Sequence, residues 1–292
     1  MRIVSGRAVR GASWNDPLYA SAHATYNQFD LKLPTVGKPP YPLTVAIHAG
    51  GWDSGAKDLA PTHVSFGVLA QGIAHASLGY RLSTTAAWPK QIHDIRAGIR
   101  HLRANAARYG VDPARIAVWG FSAGAYLAVL LASSPDEATL TDLAMGNAGV
   151  SDRVSCAAAY SPPLYFPDED AQLVANGFSA RVCGTTSNEA RLLGGDPNTG
   201  NVNPCTGAGL TLAIQASPHT YVGPGAAPMR VEVGPLDTTV PYQQSRNFRD
   251  LCITRGVACQ YVEHAGENHT SFWTNTAIGD ATIAWIKSQL AA

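Results

Sequence analysis

Neither sign of charge is in excess along these 292 residues: lysine plus arginine and aspartate plus glutamate both number 21. A balanced chain offers no electrostatic footprint for nucleic acid or an anionic membrane surface, so neither is expected as a partner. Also missing is any apolar run approaching the roughly 18–20 residues that a membrane-crossing helix needs. The opening "MRIVSGRAVRG" has no apolar centre of the kind a secretory leader carries. Either the protein stays inside the cell or the sequence is a processed or trimmed form. There is no C-x-x-C pair and no tight His/Cys cluster, which argues against a structural zinc site. Repeats and charge runs are absent as well, and a single domain over 1–292 is expected.

What is present is apolar residues at 46% of the chain, enough for a large core, and five cysteines. Cys183 and Cys205 bracket a stretch rich in Gly, Asn and Thr without an apolar core of its own, where a bridge would act as a staple. Cys252 and Cys259 flank "ITRGVA", a helix-to-strand turn that a second bridge could span. Cys156, inside "VSCAAAY", reads as a buried free thiol. Two bridges and one thiol point to a secreted or periplasmic location, with five reduced cysteines in a cytoplasmic enzyme as the alternative.

Short apolar runs alternate with longer amphipathic ones, the order of an α/β protein with a mostly parallel central sheet and helices on both faces. Strands are predicted at 43–48, 73–80, 115–120, 155–160, 229–234 and 259–264. Ile92, Ile95, Ile99 and Leu102 fall on one stripe of a helix over 90–109, which Gly110 ends. Tyr242, Ser245, Phe248 and Leu251 mark a helix over 241–255 opened by Pro241. Ile278, Thr282, Trp285 and Ile286 mark the last one, over 275–290. Residues 162–227 break the rhythm: rich in Pro, Gly, Asn and Thr, with short helices at about 187–193 and 208–216, they read as an irregular insertion over the sheet edge, without a large separate cap domain.

Chemistry concentrates at predicted strand ends, where ligands bind in such a sheet. In "VWGFSAGAYLAVLLA" (118–132), Gly120-x-Ser122-x-Gly124 sits between a strand and a helix over 123–133, and the glycines allow a sharp turn that exposes Ser122 at the helix N-terminus. A tight strand-to-helix connection that happens to contain serine is the plain alternative. "HAGGW" (48–52) follows the first strand, and its small residues let backbone N–H groups approach a substrate. Gly50 and Gly51, with Ala123, are the expected oxyanion donors. His48 is expected to orient this loop. "GPLDTTVP" places Asp237 past the strand at 229–234, either as the partner of a histidine or as a turn aspartate ahead of Pro241. "HAGENHTSFW" then supplies His269 in the chain order Ser, Asp, His. His264 is the rival base, set aside because it sits on the strand end rather than on a loop that can reach over the crevice. His75, His93 and His101 lie within predicted elements and read as structural. Trp52, Phe121, Phe272 and Trp273 neighbour these groups in sequence and suggest an aromatic substrate pocket, plain core packing being the alternative for each.

"HAGGW", the run "YRLSTTAAWPKQIHDIRAGIRHLRANAARYGVDPARIAVWGFSAGAYLAVLLA", "LLGGDP", "ASPHTYV" and "DTTVPYQQS" resemble the α/β-hydrolase esterases with an HGGGW-type oxyanion loop, within them the BD-FAE-like carboxylesterases related to feruloyl and acetyl-xylan esterases. The likeness runs from about 43 to 290 and is densest over 80–132. It implies a serine carboxylesterase of short-acyl or aryl esters, with small-molecule or polysaccharide-linked esters (feruloyl or acetyl esters of plant polysaccharide among them) as substrates, and with no metal and no organic cofactor. It implies Ser122 as nucleophile, Asp237 as acid and His269 as base. The sequence departs from the pattern at Ala49, where the loop has its first glycine, at Phe121, where a small residue is frequent, and at "ENHTS", where "GHG" surrounds the base. The segment 175–205 has no counterpart. An arylformamidase using the same machinery is the second reading, and a non-catalytic hydrolase-fold binding module the third.

Overall fold

The computed structural model describes residues 10–15, 17–57, 62–194 and 202–291. Residues 1–9 of the opening stretch read for a leader and residues 195–197 of "LLGGDP" lie outside them. Its centre is an eight-stranded sheet of β1 (Ser13–Trp14), β2 (Phe29–Lys32), β3 (Tyr41–Ile47), β4 (Ala74–Leu78), β5 (Val111–Phe121), β6 (Cys156–Tyr160), β7 (Met229–Val233) and β8 (Cys259–Glu263). The spatial order is β1-β2-β4-β3-β5-β6-β7-β8. The β1/β2 and β2/β4 pairs are antiparallel. Every later pair is parallel. The mostly parallel sheet is the one the alternating pattern implied, and the whole is the α/β-hydrolase fold that the resemblance implied.

The second half of β5 and β6 read as apolar runs because both of their faces are covered. Every residue of β4, β6 and β7 is buried. β6, with three consecutive alanines, has poor intrinsic strand preference; its place between β5 and β7 overrides that. On one face lie α2 (Lys90–Ala104), α4 (Ala123–Ser133) and α8 (Gln243–Thr254), whose Ile95, Leu127 and Phe248 join one core. On the other lie α1 (Thr62–Ala70) and α9 (Thr276–Ala291), whose Val68 and Ile286 join a second core with Trp119, Phe121 and Tyr160. No helix among the described residues is long and apolar enough to cross a membrane.

The expected helix over 90–109 is two pieces, α2 and a single turn α3 (Ala106–Tyr109), because Asn105 caps the first through its own N–H and side-chain amide on the carbonyl of His101. Gly110, at φ 67°, takes the left-handed cap conformation expected of it. Between β6 and β7 lie α5 (Glu169–Ala175), α6 (Asn188–Gly194) and α7 (Gly207–Ala216). This segment, expected over the sheet edge, connects the neighbouring strands β6 and β7, and its Pro163, Arg181, Asn188 and Glu189 line the crevice beside Ser122.

The bridge between Cys183 and Cys205 is present, with their Cα atoms 5.3 Å apart. The expected Cys252–Cys259 bridge is not: both are thiols, as is buried Cys156. A hydrogen bond with Cys252, together with burial, pushes the Cys259 thiol well above its ordinary range.

Candidate active site

The parallel register brings the ends of β3 and β5 level: Ile47 pairs Gly120. Phe121, the last residue of β5, pairs Tyr160 at the end of β6. The chain then leaves β5 through Ser122 at φ 50° and ψ −118°, a conformation few residues other than glycine adopt. Two groups hold it there: the Ser122 N–H donates to the Tyr160 carbonyl at 2.8 Å, and the Ser122 carbonyl accepts the Tyr126 N–H at 2.9 Å. The turn is possible because Gly124 lies against β3; a Cβ there would stand 2.1 Å from the Ile47 carbonyl oxygen. α4 begins at Ala123, directly after Ser122, so the first N–H groups of that buried helix have no partner within it.

Ser122 Oγ lies 3.1 Å from His269 Nε2, and His269 Nδ1 lies 2.7 Å from Asp237 Oδ2. A carboxylate only accepts, so the ring proton belongs on Nδ1 and the Nε2 lone pair faces the serine hydroxyl. Asp237 is 1% exposed, and its other oxygen accepts the N–H groups of Thr239 and Val240, both at 2.8 Å. The carboxylate is thereby fixed on one side by backbone and on the other by imidazole. Such an array can take the serine proton as the hydroxyl attacks an electrophilic carbon.

The loop after β3 is shaped by His48, as the sequence suggested. Its ring stacks on Tyr80 at 4.1 Å, Nδ1–H donates to the Ala49 carbonyl at 2.7 Å, and the Tyr80 hydroxyl donates to the His48 carbonyl at 3.1 Å. Burial lowers the His48 pKa to about 4, so the ring is neutral at physiological pH and serves as scaffold. Gly50 and Gly51 follow with φ 115° and 57°. They share with Ser122 and His269 the lining of a cleft of about 240 Å³.

His264, His75, His93 and His101 have structural partners. His264 donates to Glu232 at 2.7 Å, and Glu232 is also held by Arg230 at 2.7 Å and the Thr282 hydroxyl at 2.5 Å. These hydrogen bonds keep the buried Glu232 carboxyl below its ordinary range against the effect of burial. His264 therefore belongs to a closed network behind the site. His75 contacts the Thr44 hydroxyl at 3.2 Å and is neutral, its pKa lowered by burial to about 3. His93 meets the Thr139 carbonyl and His101 the Tyr109 hydroxyl.

Of the four aromatics proposed for the pocket, Trp52 and Trp273 line it, whereas Phe121 and Phe272 do not. Strand alternation turns Phe121 into the second core beside Trp119, where it stacks on Tyr160 at 4.4 Å and supports Trp273 at 4.6 Å. Phe272, 1% exposed, packs against Tyr160 and His264. Sequence reasoning missed the other lining residues, Pro163, Arg181, Asn188, Glu189, Thr239 and Val240. Thr239 and Val240 lie within the quoted "GPLDTTVP" but had no role assigned, and no motif marked the other four.

One cluster of metal-ligand type occurs among the described residues, Asp170 with Cys183 and Cys205. Its sulfurs are bonded to each other, and Asp170 accepts the N–H groups of Arg181, Val182 and Cys183 at 2.6, 2.7 and 2.7 Å. Those donors occupy the carboxylate, so the cluster is a backbone clamp rather than a metal site.

Comparison with known proteins agrees with this architecture. The family described as BD-FAE matches residues 29–251. A curated relative, the probable carboxylic ester hydrolase LipM of Mycobacterium tuberculosis, is 28% identical over 225 residues, 77% of this chain and 47% of its own length. The carboxylesterase NlhH of the same species is 39% identical over 100 residues, 34% of this chain and 31% of its own. The chain thus spans about a third to a half of the length of these relatives. Among solved structures, a truncated carbohydrate esterase from gut microbiota superposes with a TM-score of 0.84 at 22% identity, covering 97% of this chain and 98% of that one. A bifunctional GH43-CE protein of Bacteroides eggerthii superposes at 0.83 with 27% identity, covering 97% and 38%.

Proposed function

Because the chain belongs to the BD-FAE family, we propose that it is a serine carboxylesterase acting on short-acyl or aryl esters through an acyl-enzyme. The observation that carries this reading is the continuous Ser122–His269–Asp237 hydrogen-bond path, 3.1 Å and 2.7 Å long, opening onto a cleft lined by Gly50 and Gly51. In this proposal Ser122 Oγ attacks the ester carbonyl while His269 Nε2 takes its proton. Asp237 stabilises the imidazolium that results and does not itself take the proton. The N–H groups of Gly50, Gly51 and Ala123 receive the oxyanion, each such donor contributing roughly 10²–10³ in rate. His269 then protonates the leaving alcohol and later activates the water that releases the acid.

The one sheet shared by all described strands supports a single domain. The Cys183–Cys205 bridge supports an oxidising compartment outside the cytoplasm. The relatives' names support the ester over the formamide: LipM and NlhH are named as a carboxylic ester hydrolase and a carboxylesterase. Initial rates on p-nitrophenyl acetate, p-nitrophenyl butyrate and N-formylkynurenine test the reading. The expected result is saturable turnover of the two esters with kcat/KM at least about a hundredfold above the formamide. Formamide turnover that equals or exceeds ester turnover contradicts it.

A further inference from the structure

The part of the cleft wall that Arg181 forms carries an unusual amount of buried charge. Arg181, whose side chain is 26% exposed, lies between two carboxylates that are almost wholly enclosed, Glu169 at 0% and Glu189 at 2%. Its Nη1 donates to Glu169 Oε1 at 3.3 Å, and its Nη2 donates to Glu189 Oε1 at 3.2 Å. Burial raises both carboxyls above their ordinary range, and the charge of Glu189 raises Glu169 further. Glu169 therefore holds a proton near neutral pH, and Glu189 balances the guanidinium. The backbone that carries Arg181 is fixed twice, by the Asp170 clamp on Arg181, Val182 and Cys183 and by the Cys183–Cys205 bridge.

Enclosing such a triad is costly, and apolar side chains of the same volume would fill the wall equally well or better. A reason beyond stability lies in a further contact of the guanidinium: Nη1 also donates to the Thr239 carbonyl at 3.1 Å. That carbonyl belongs to the same peptide unit as the Val240 N–H, which donates to Asp237 Oδ1 at 2.8 Å. The unit is trans, so its C=O and N–H point in opposite directions. Holding the carbonyl on one side fixes where the N–H points on the other. The guanidinium also polarises the peptide along that line and strengthens its N–H as a donor. The second donor to Oδ1, the Thr239 N–H at 2.8 Å, comes from the adjoining peptide, which Arg181 does not hold. Two donors at one oxygen set the plane of the carboxylate, where one leaves it free to swing. A swing reaches the imidazole at once, because Oδ2 stands 2.7 Å from His269 Nδ1.

We propose that Arg181 is a positioning residue: through the Thr239–Val240 peptide it aims an N–H at Asp237 and so keeps that carboxylate aligned with His269, while Glu169 and Glu189 keep the guanidinium in place. The role rests on the carboxylesterase reading and adds a member to its machinery outside the Ser122–His269–Asp237 path. The imidazolium that Asp237 stabilises forms only as the reaction proceeds, so Arg181 acts on kcat rather than on KM.

The test measures p-nitrophenyl acetate kinetics, the thermal midpoint and the nitrogen NMR spectrum of the His269 ring in wild type, Arg181→Lys and the double variant Arg181→Met/Glu189→Met. Lysine keeps a charge for Glu189, so the first variant is expected to fold, but one ammonium cannot serve the carboxylates and the Thr239 carbonyl in the geometry of the fork. In the double variant apolar side chains replace the pair, and its midpoint is expected at or above that of wild type. In both, kcat is expected to fall by about tenfold, the size of one lost charge-assisted hydrogen bond, with KM within about twofold of wild type. The ring is expected to show the Nδ1–H tautomer in wild type and a mixture with Nε2–H in the variants. A folded variant whose kcat stays within about twofold of wild type overturns the proposal. So does a rise in KM at unchanged kcat, which assigns Arg181 to the substrate, and so does an unchanged tautomer in a slowed variant. Failure of both variants to fold overturns it as well, since the triad is then an element of stability. Absence of wild-type turnover overturns the esterase reading itself.

Discussion

Ser122→Ala lowers kcat on p-nitrophenyl acetate by about 10⁴-fold or more, to a residue of activity that oxyanion donors and binding alone can sustain. The change removes one oxygen. Ser122 keeps its turn through backbone bonds to Tyr160 and Tyr126, so the variant is expected to fold and melt close to wild type. The magnitude follows from the division of labour: Oγ is the atom 3.1 Å from His269 Nε2, and without it the imidazole has no proton to take. Retention of more than about a tenth of wild-type kcat in the purified variant would show that some other group, or water activated directly, does the work.

The second large effect belongs to Asp237→Asn, expected to cost on the order of 10⁴-fold in kcat at neutral pH. Oδ1 accepts the N–H groups of Thr239 and Val240, and an asparagine carbonyl can take over that duty. Its amide nitrogen then faces His269 Nδ1 at the position where a carboxylate oxygen stood 2.7 Å away. An N–H donor there forces Nδ1 to accept, which moves the ring proton to Nε2 and leaves no lone pair toward Ser122. The backbone is undisturbed, so circular dichroism and thermal midpoint are expected to stay near wild type while steady-state kinetics collapse. A loss of less than about tenfold would mean that the tautomer of His269 is fixed by something other than Asp237.

Much of this was legible in the sequence, for identifiable reasons. Strands β3, β4, β6 and β7 and the second half of β5 are buried on both faces and stand out as mostly apolar runs, β8 follows as a shorter half-exposed run at the sheet edge, and α4 begins where Gly120-x-Ser122-x-Gly124 put it. Strands β1 and β2 were not legible, being two and four residues long at the antiparallel edge, too short to show alternation. Helix α1 escaped as well, because "THVSFGVLA" carries little polar contrast and thus no stripe. The residues of the chemical centre could be read because each lies just past a strand, where topology dictates proximity. Phe121 and Phe272 show the limit of that argument: sequence adjacency to Ser122 and His269 says nothing about which face of the sheet a side chain takes. The Arg181 wall shows it more strongly. Its position depends on the carboxylate of Asp170 and on a bridge to Cys205, contacts within an irregular segment that no periodicity foretells.

The central claim is that Ser122 is the nucleophile of a covalent mechanism. Intact-protein mass spectrometry after reaction with a fluorophosphonate, followed by peptide mapping, tests it most directly. One adduct per chain, carried by the peptide containing Ser122 and absent from Ser122→Ala, is the predicted result. An unlabelled wild-type protein, or an adduct on another residue that persists in Ser122→Ala, would contradict the account.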